Sequence, residues 1–111
     1  MRSFKDDVTV VLATSNVKGD RLTFPLSFTK EFKEEGVEIM QLSARASNSL
    51  KRGGVFTIGN LLEKFDNLGK LRNCGENSVK EIKNAFLQAW YEQLEPEEVT
   101  AFWEEFIKVN S

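Results

Sequence analysis

The chain has 111 residues, 41% of them apolar, and a formal net charge of −2. Nine Phe and two Trp supply enough large apolar area for one modest core, which excludes a chain disordered by composition. There is no histidine and only one cysteine, Cys74; this excludes an intramolecular disulfide, removes the commonest general base and argues against a zinc site within one chain.

The near-neutral total hides a segregation of charge. Residues 1–42 hold six basic against seven acidic residues, residues 43–91 hold eight against four, and residues 92–111 hold one against six. A basic middle is compatible with nucleic acid, and an acidic tail argues against a chain that wraps nucleic acid along its whole length. The same distribution also suits ordinary solvated faces. With no signal-peptide pattern and no apolar run near membrane length, the chain reads as cytoplasmic with no membrane partner.

Taken in order, "VTVVLA" (Val8–Ala13) is a β-branched run that predicts a strand. "NVKGD" (Asn16–Asp20) is turn chemistry. "RLTFPLSF" (Arg21–Phe28) alternates at Leu22, Phe24 and Leu26 and predicts a second strand, which Pro25 confines to an edge. The two would form a hairpin needing helices to pack on. Thr29 caps a short helix over 30–35, closed by Gly36. "VEIMQL" (Val37–Leu42) reads as extended.

Ser43 caps a helix through Arg52, with Gly53 and Gly54 as its stop. Leu42, Ala46 and Leu50 form a narrow apolar seam, and the other side carries Arg45, Asn48, Ser49 and Arg52. Thr57 caps a further short helix, and residues 66–75 read as a loop anchored by Leu68 and Leu71. Over 78–94, the positions of Val79, Ile82, Phe86, Ala89 and Trp90 make a core-facing helical stripe. A last helix begins near Pro96 and carries Val99, Phe102, Trp103 and Phe106. The expected fold is therefore mainly α: a compact bundle of short helices, plus an N-terminal β-hairpin and a C-terminal amphipathic helix. Its expected parts are 1–36 as a packed extension, 37–92 as the helical domain and 93–111 as the acidic helix.

The strongest local signal is "RNCGENSVKEIK" (Arg72–Lys83). Gly75 stands before a helix start, where a missing side chain lets a backbone approach a surface and first-turn amides favour an anion. Ser78 and Glu81 also fit a capping box, so the same residues suit a well-made helix start and nothing more. Cys74 beside this turn reads either as a thiol activated by helix-start amides or as a small buried filler. The first helix, a glycine connection and this helix start together follow helix-hairpin-helix logic, offering backbone amides and small hydroxyls to phosphates.

The ordered set Leu42, Arg45, Asn48, Leu50, Lys51, Thr57, Ile58, Gly59, Leu61, Leu71, Asn73, Gly75, Ser78, Glu81 and Ile82 resembles the C-terminal domain of the bacterial RNA polymerase alpha subunit, over residues 37–91. The resemblance implies a compact helical domain with helix-hairpin-helix-like elements that binds double-stranded DNA in the A/T-rich minor groove and contacts sigma factors and transcription regulators. It implies that Arg45 enters the groove, that Asn48, Gly75 and Ser78 meet the backbone, and that Ser49 and Lys51 lie on the contact face. Glu81 would orient Arg45. Two positions after Gly75 the family usually carries lysine where this chain has Asn77, and Glu76 stands where the family is often basic. Weaker DNA binding than the family's is expected.

The expected function is non-enzymatic DNA binding in transcription, with no cofactor and no metal. The alternative is a module that docks on RNA polymerase, sigma or a regulator, with DNA binding weak or lost. Residues 1–36 do not resemble the large assembly domain that precedes the family's linker. No nucleophile, metal cluster or phosphate loop accompanies the carboxylates, which leaves an enzyme the poorest reading.

Overall fold

The computed structural model describes residues 2–15, 17, 22–71 and 74–111. The turn expected at Asn16–Asp20 therefore lies outside the described residues except for Val17, as do Arg21, Arg72 and Asn73. Six α-helices occur among the described residues: α1 (Phe4–Thr14), α2 (Lys30–Glu34), α3 (Ala44–Arg52), α4 (Ile58–Glu63), α5 (Glu76–Glu92) and α6 (Pro96–Asn110). Short 3-10 turns occupy Val37–Met40 and Phe65–Lys70, where an extended segment and a loop were expected. The chain divides into two compact units, Met1–Ser27 with Trp90–Ser111, and Phe28–Ala89. The boundaries of these units fall after Ser27 and inside α5.

In the first unit the expected hairpin is absent. Residues Val8–Ala13 lie in α1, and among the described residues there is no strand, only an isolated antiparallel bridge between Gly36 and Thr57 in the other unit. Three anchors override the β-propensity of the Val-rich run. The Ser3 hydroxyl caps α1 by accepting from the Asp6 N–H at 3.3 Å, and Asp6 and Asp7 suit the positive end of the helix. Phe4 is buried among Tyr91 (5.2 Å), Trp103 (5.8 Å) and Phe24 (5.7 Å). Asp7 accepts a 2.6 Å hydrogen bond from the Tyr91 hydroxyl.

The described residues of the second expected strand, 22–28, are irregular, with a tight turn in which the Leu26 N–H donates to the Phe24 carbonyl at 2.8 Å. At Thr23 the backbone is satisfied by a side chain: the Thr23 N–H donates to Asn110 Oδ1 and Asn110 Nδ2 donates to the Thr23 carbonyl, both at 2.7 Å. Phe24 stacks on Phe106 at 5.1 Å. In α6, Pro96 occupies the first turn and Glu95 with Glu98 forms a reciprocal cap.

Tyr91 is the centre of this unit. Its hydroxyl also accepts from Trp103 Nε1 at 2.7 Å, while Arg2 donates to the Tyr91 and Leu94 carbonyls at 2.7 and 2.8 Å. Burial first, and then the hydrogen bond to Asp7, push the phenol up to about 12 from 10.0. A folded-state value above the unfolded one means that Tyr91 contributes stability which is complete below pH 10 and is lost as pH rises towards 12. Because Tyr91 is the only tyrosine, ultraviolet titration of the phenolate band reads it directly. The expected midpoint is near 12 in the folded protein and falls to about 10 in denaturant; coincident curves would remove the Asp7–Tyr91–Trp103 network from the folded state.

The second unit is built around Phe86, which is fully buried and meets Phe65 at 5.3 Å, Phe28 at 5.5 Å and Phe32 at 6.0 Å. Thr29 caps α2 by accepting from the Phe32 N–H, and Thr57 caps α4 in a reciprocal pair with Asn60. The seam of α3 is buried at Ala46 and Leu50. Its end is set by two glycines. A Cβ on Gly53 would meet Leu71 Cδ2 at 2.6 Å, and Gly54 takes a left-handed φ of 78°.

Candidate nucleic-acid interface

Helix α3 carries Arg45, Lys51 and Arg52 and no acidic residue. Ser43 is its cap, with the hydroxyl oxygen accepting from the Ala46 N–H at 3.2 Å. Arg45 and Arg52 are two turns apart and so share one side, with Asn48 beside them. All three are exposed and, with Ser49, line one shallow recess. Lys51 is exposed but lies about a third of a turn from Arg45 and is not part of that recess. Arg52, not Lys51, is the second cation of this face.

Ser49 is only 2% exposed, and its hydroxyl donates to the Arg45 carbonyl at 3.0 Å. The small side chain thus lies at the floor of the recess, bonded to the backbone of its own helix at Arg45.

A second recess, of about 310 Å³, joins α3 to the start of α5; Ser43 and Arg45 line it from one side, and the Gly75–Ser78 turn with Glu81 from the other. Gly75, Glu76 and Asn77 are exposed, while Ser78 is 7% exposed. Helix α5 begins at Glu76, and the Gly75 carbonyl accepts the first helical bond from Val79 N–H at 3.0 Å. Ser78 therefore lies inside the first turn, and the expected Ser78–Glu81 capping box does not form. Gly75 is not required by internal packing, since a Cβ there would meet nothing within 4 Å.

Glu81 is engaged at the start of α3. Its Oε2 accepts from the Ser43 N–H at 2.6 Å and its Oε1 from the Ser43 hydroxyl at 2.8 Å. Both oxygens serve the α3 cap, and Arg45 makes no ion pair among the described residues; Glu76 pairs with Lys80 at 3.7 Å. Sequence reasoning found Ser43 as a cap but missed its partner, because nothing local marks a carboxylate 38 positions away.

Cys74 is buried, and burial pushes its thiol up from the usual 9.0, which removes the activated-thiol reading. No group of three or more His, Cys, Asp or Glu able to hold a metal occurs among the described residues. No helix among them is long and apolar enough to cross a membrane.

A small helical unit thus sets an acid-free basic helix beside an open glycine turn. Residues 27–88 match the C-terminal domain of the bacterial RNA polymerase alpha subunit, and the protein belongs to this family. It is 43% identical over 51 residues to the DNA-directed RNA polymerase subunit alpha of Syntrophomonas wolfei, covering 45% of the present sequence and 16% of that subunit. The same subunit of Carboxydothermus hydrogenoformans is 37% identical over 54 residues, covering 48% and 17%. That of Symbiobacterium thermophilum is 43% identical over 51 residues, covering 45% and 16%. The matched region thus spans about one sixth of the length of these curated relatives. No solved structure matches it.

Proposed function

We propose that this protein is a non-enzymatic, transcription-associated DNA-binding protein that lays α3 and the start of α5 on the minor groove of A/T-rich duplex. The observation that carries this reading is the exposed Arg45, without an ion pair among the described residues, in one recess with the open Gly75 turn. A narrow A-tract groove has enhanced negative potential, so an inserted guanidinium reads shape without reading bases. Asn48 and Arg52 flank it, and the Gly75–Asn77 backbone offers first-turn amides to a phosphate. Lys51 contributes a more distant charge. Ser49, Ser78 and Glu81 support the face from within, without touching DNA.

Glu76 favours a second reading, docking on RNA polymerase, sigma factor or a regulator. It stands at the start of α5 with its side chain 84% exposed, beside the uncharged Asn77. There it satisfies the positive helix end that would otherwise attract a phosphate.

Titration of an A-tract duplex and a G/C-rich duplex at several salt concentrations tests the proposal. The expected result is tighter binding to the A-tract, with log affinity falling linearly with log salt at a slope of roughly −2 to −4, set by the few cations on the face. Equal affinity for both duplexes would remove the minor-groove mode. No binding at low salt would leave protein docking as the function.

A further inference from the structure

Helix α1 has two sides. Phe4, Asp7, Val8 and Val11 follow one another at helical spacing and are buried or half-buried. Lys5, Asp6, Thr9, Val10, Leu12 and Ala13 form the other side, and all six are exposed. Val10 is 58% exposed and Leu12 37%. No charged residue stands between Val8 and Ser15. The two threonines of the helix turn their hydroxyls onto its own backbone: Thr9 donates to the Lys5 carbonyl at 3.1 Å and Thr14 to the Val10 carbonyl at 2.8 Å. With the hydroxyls so engaged, what they offer a neighbour is chiefly a methyl group. The outer side of α1 beyond its first turn is therefore apolar, and nothing else in the protein covers it.

The occupant this side fits is a second copy of the same helix. Thr9 and Ala13 lie one turn apart at its centre, with Val10 on one flank and Leu12 on the other. An antiparallel copy related by a two-fold axis lays Thr9 of each helix against Ala13 of the other, and sets Val10 beside its own counterpart and Leu12 beside its own. Parallel packing would bring Asp6 against Asp6, Lys5 against Lys5, and like helix ends together. Antiparallel packing holds those like charges apart by the length of the helices. It also carries Lys5 to the far end of the opposite α1, whose last turn holds no basic residue. The unit as a whole has nine acidic against five basic residues, so repulsion between copies is smallest where α1 is uncharged.

We infer that the uncharged side of α1 is a self-association surface, pairing with α1 of a second copy of this chain in an antiparallel, two-fold dimer. Eleven residues of helix are roughly 16 Å long, so the contact falls at the small end of specific interfaces. The dimer is accordingly reversible, with a Kd on the order of 100 µM. The surface lies outside residues 27–88, which match the family, and it does not depend on DNA binding.

The test is sedimentation equilibrium of the protein without DNA, from about 5 µM to about 1 mM. The weight-average mass is expected to rise from 12.7 kDa towards twice that value, and to rise at least as steeply at high salt, which screens the repulsion between acidic copies. Val10→Glu and Val10→Lys should each raise the Kd at least roughly tenfold, because each sets two like charges side by side. An equimolar mixture of the two variants should dimerise again, since the two-fold pairs position 10 with itself. Val10 is an exposed helical position, so the circular dichroism of both variants should match the parent's. Val109→Glu, at an exposed apolar position of α6, should change the Kd by less than about threefold. A protein that stays monomeric at the highest concentration, or a variant mixture that stays monomeric, would overturn the pairing. So would association that weakens as salt rises, which would mark a contact between acidic and basic surfaces in place of the apolar one.

Discussion

Arg45→Ala is expected to weaken A-tract binding roughly thirtyfold, corresponding to about 2 kcal/mol, the usual worth of a charged group's hydrogen bonds at an interface. The position justifies the size. Arg45 lines both recesses, whereas Arg52 and Asn48 line one and Lys51 neither. Alanine is a strong helix former and α3 keeps its Ser43 cap, so the domain should remain folded. The salt slope should also fall by about one, as one cation leaves the groove. Lys51→Ala should cost much less, roughly threefold, and similarly on either duplex. A loss below about threefold for Arg45→Ala, or equal losses for Arg45 and Lys51, would mean that the recess is not where DNA lies. Circular dichroism of each variant separates lost contact from lost fold.

The second large effect belongs to the core. Phe86→Ala is expected to destabilise the Phe28–Ala89 unit by about 3–5 kcal/mol, from lost transfer energy plus the cavity among Phe28, Phe32 and Phe65. For a unit of this size that lowers the thermal midpoint by roughly 20–40 °C, a large part of the stability of a small domain. Helical circular dichroism measures this shift. Both tryptophans, Trp90 and Trp103, lie in the other unit, so their fluorescence follows that unit separately. A midpoint shift of under about 3 °C would show that Phe86 is not the residue on which the unit is built.

Much of the site was legible because its signals are local. Ser43, Thr29 and Thr57 cap the helices they were expected to cap, since a hydroxyl reaching a third amide is set by neighbours alone. The buried seam of α3 at Ala46 and Leu50, and the α5 stripe at Ile82, Phe86 and Trp90, follow the helical period. The ordered motif from Leu42 to Ile82 led to the family that residues 27–88 match. Where exposure depended on how neighbours close over a residue, the sequence was silent: Ser49 and Ser78 line the recesses while staying almost fully buried.

The N-terminal segment shows the limit most plainly. Val8–Ala13 has strand propensity, and nothing within ten residues says that Asp7 will meet Tyr91 or that Phe4 will sink among Tyr91 and Trp103. Those anchors decide for a helix, and the paired hydrogen bonds of Asn110 spare the Thr23 backbone a strand partner. By itself the sequence determined the helical class, the caps, the family and the basic helix with its arginine. Only the tertiary structure decided that Glu81 holds Ser43 and that the two termini share one aromatic core. The physical reason is range: caps and periods are satisfied within one or two turns, whereas a carboxylate's partner and a ring's neighbours are chosen by the closing of the polypeptide on itself.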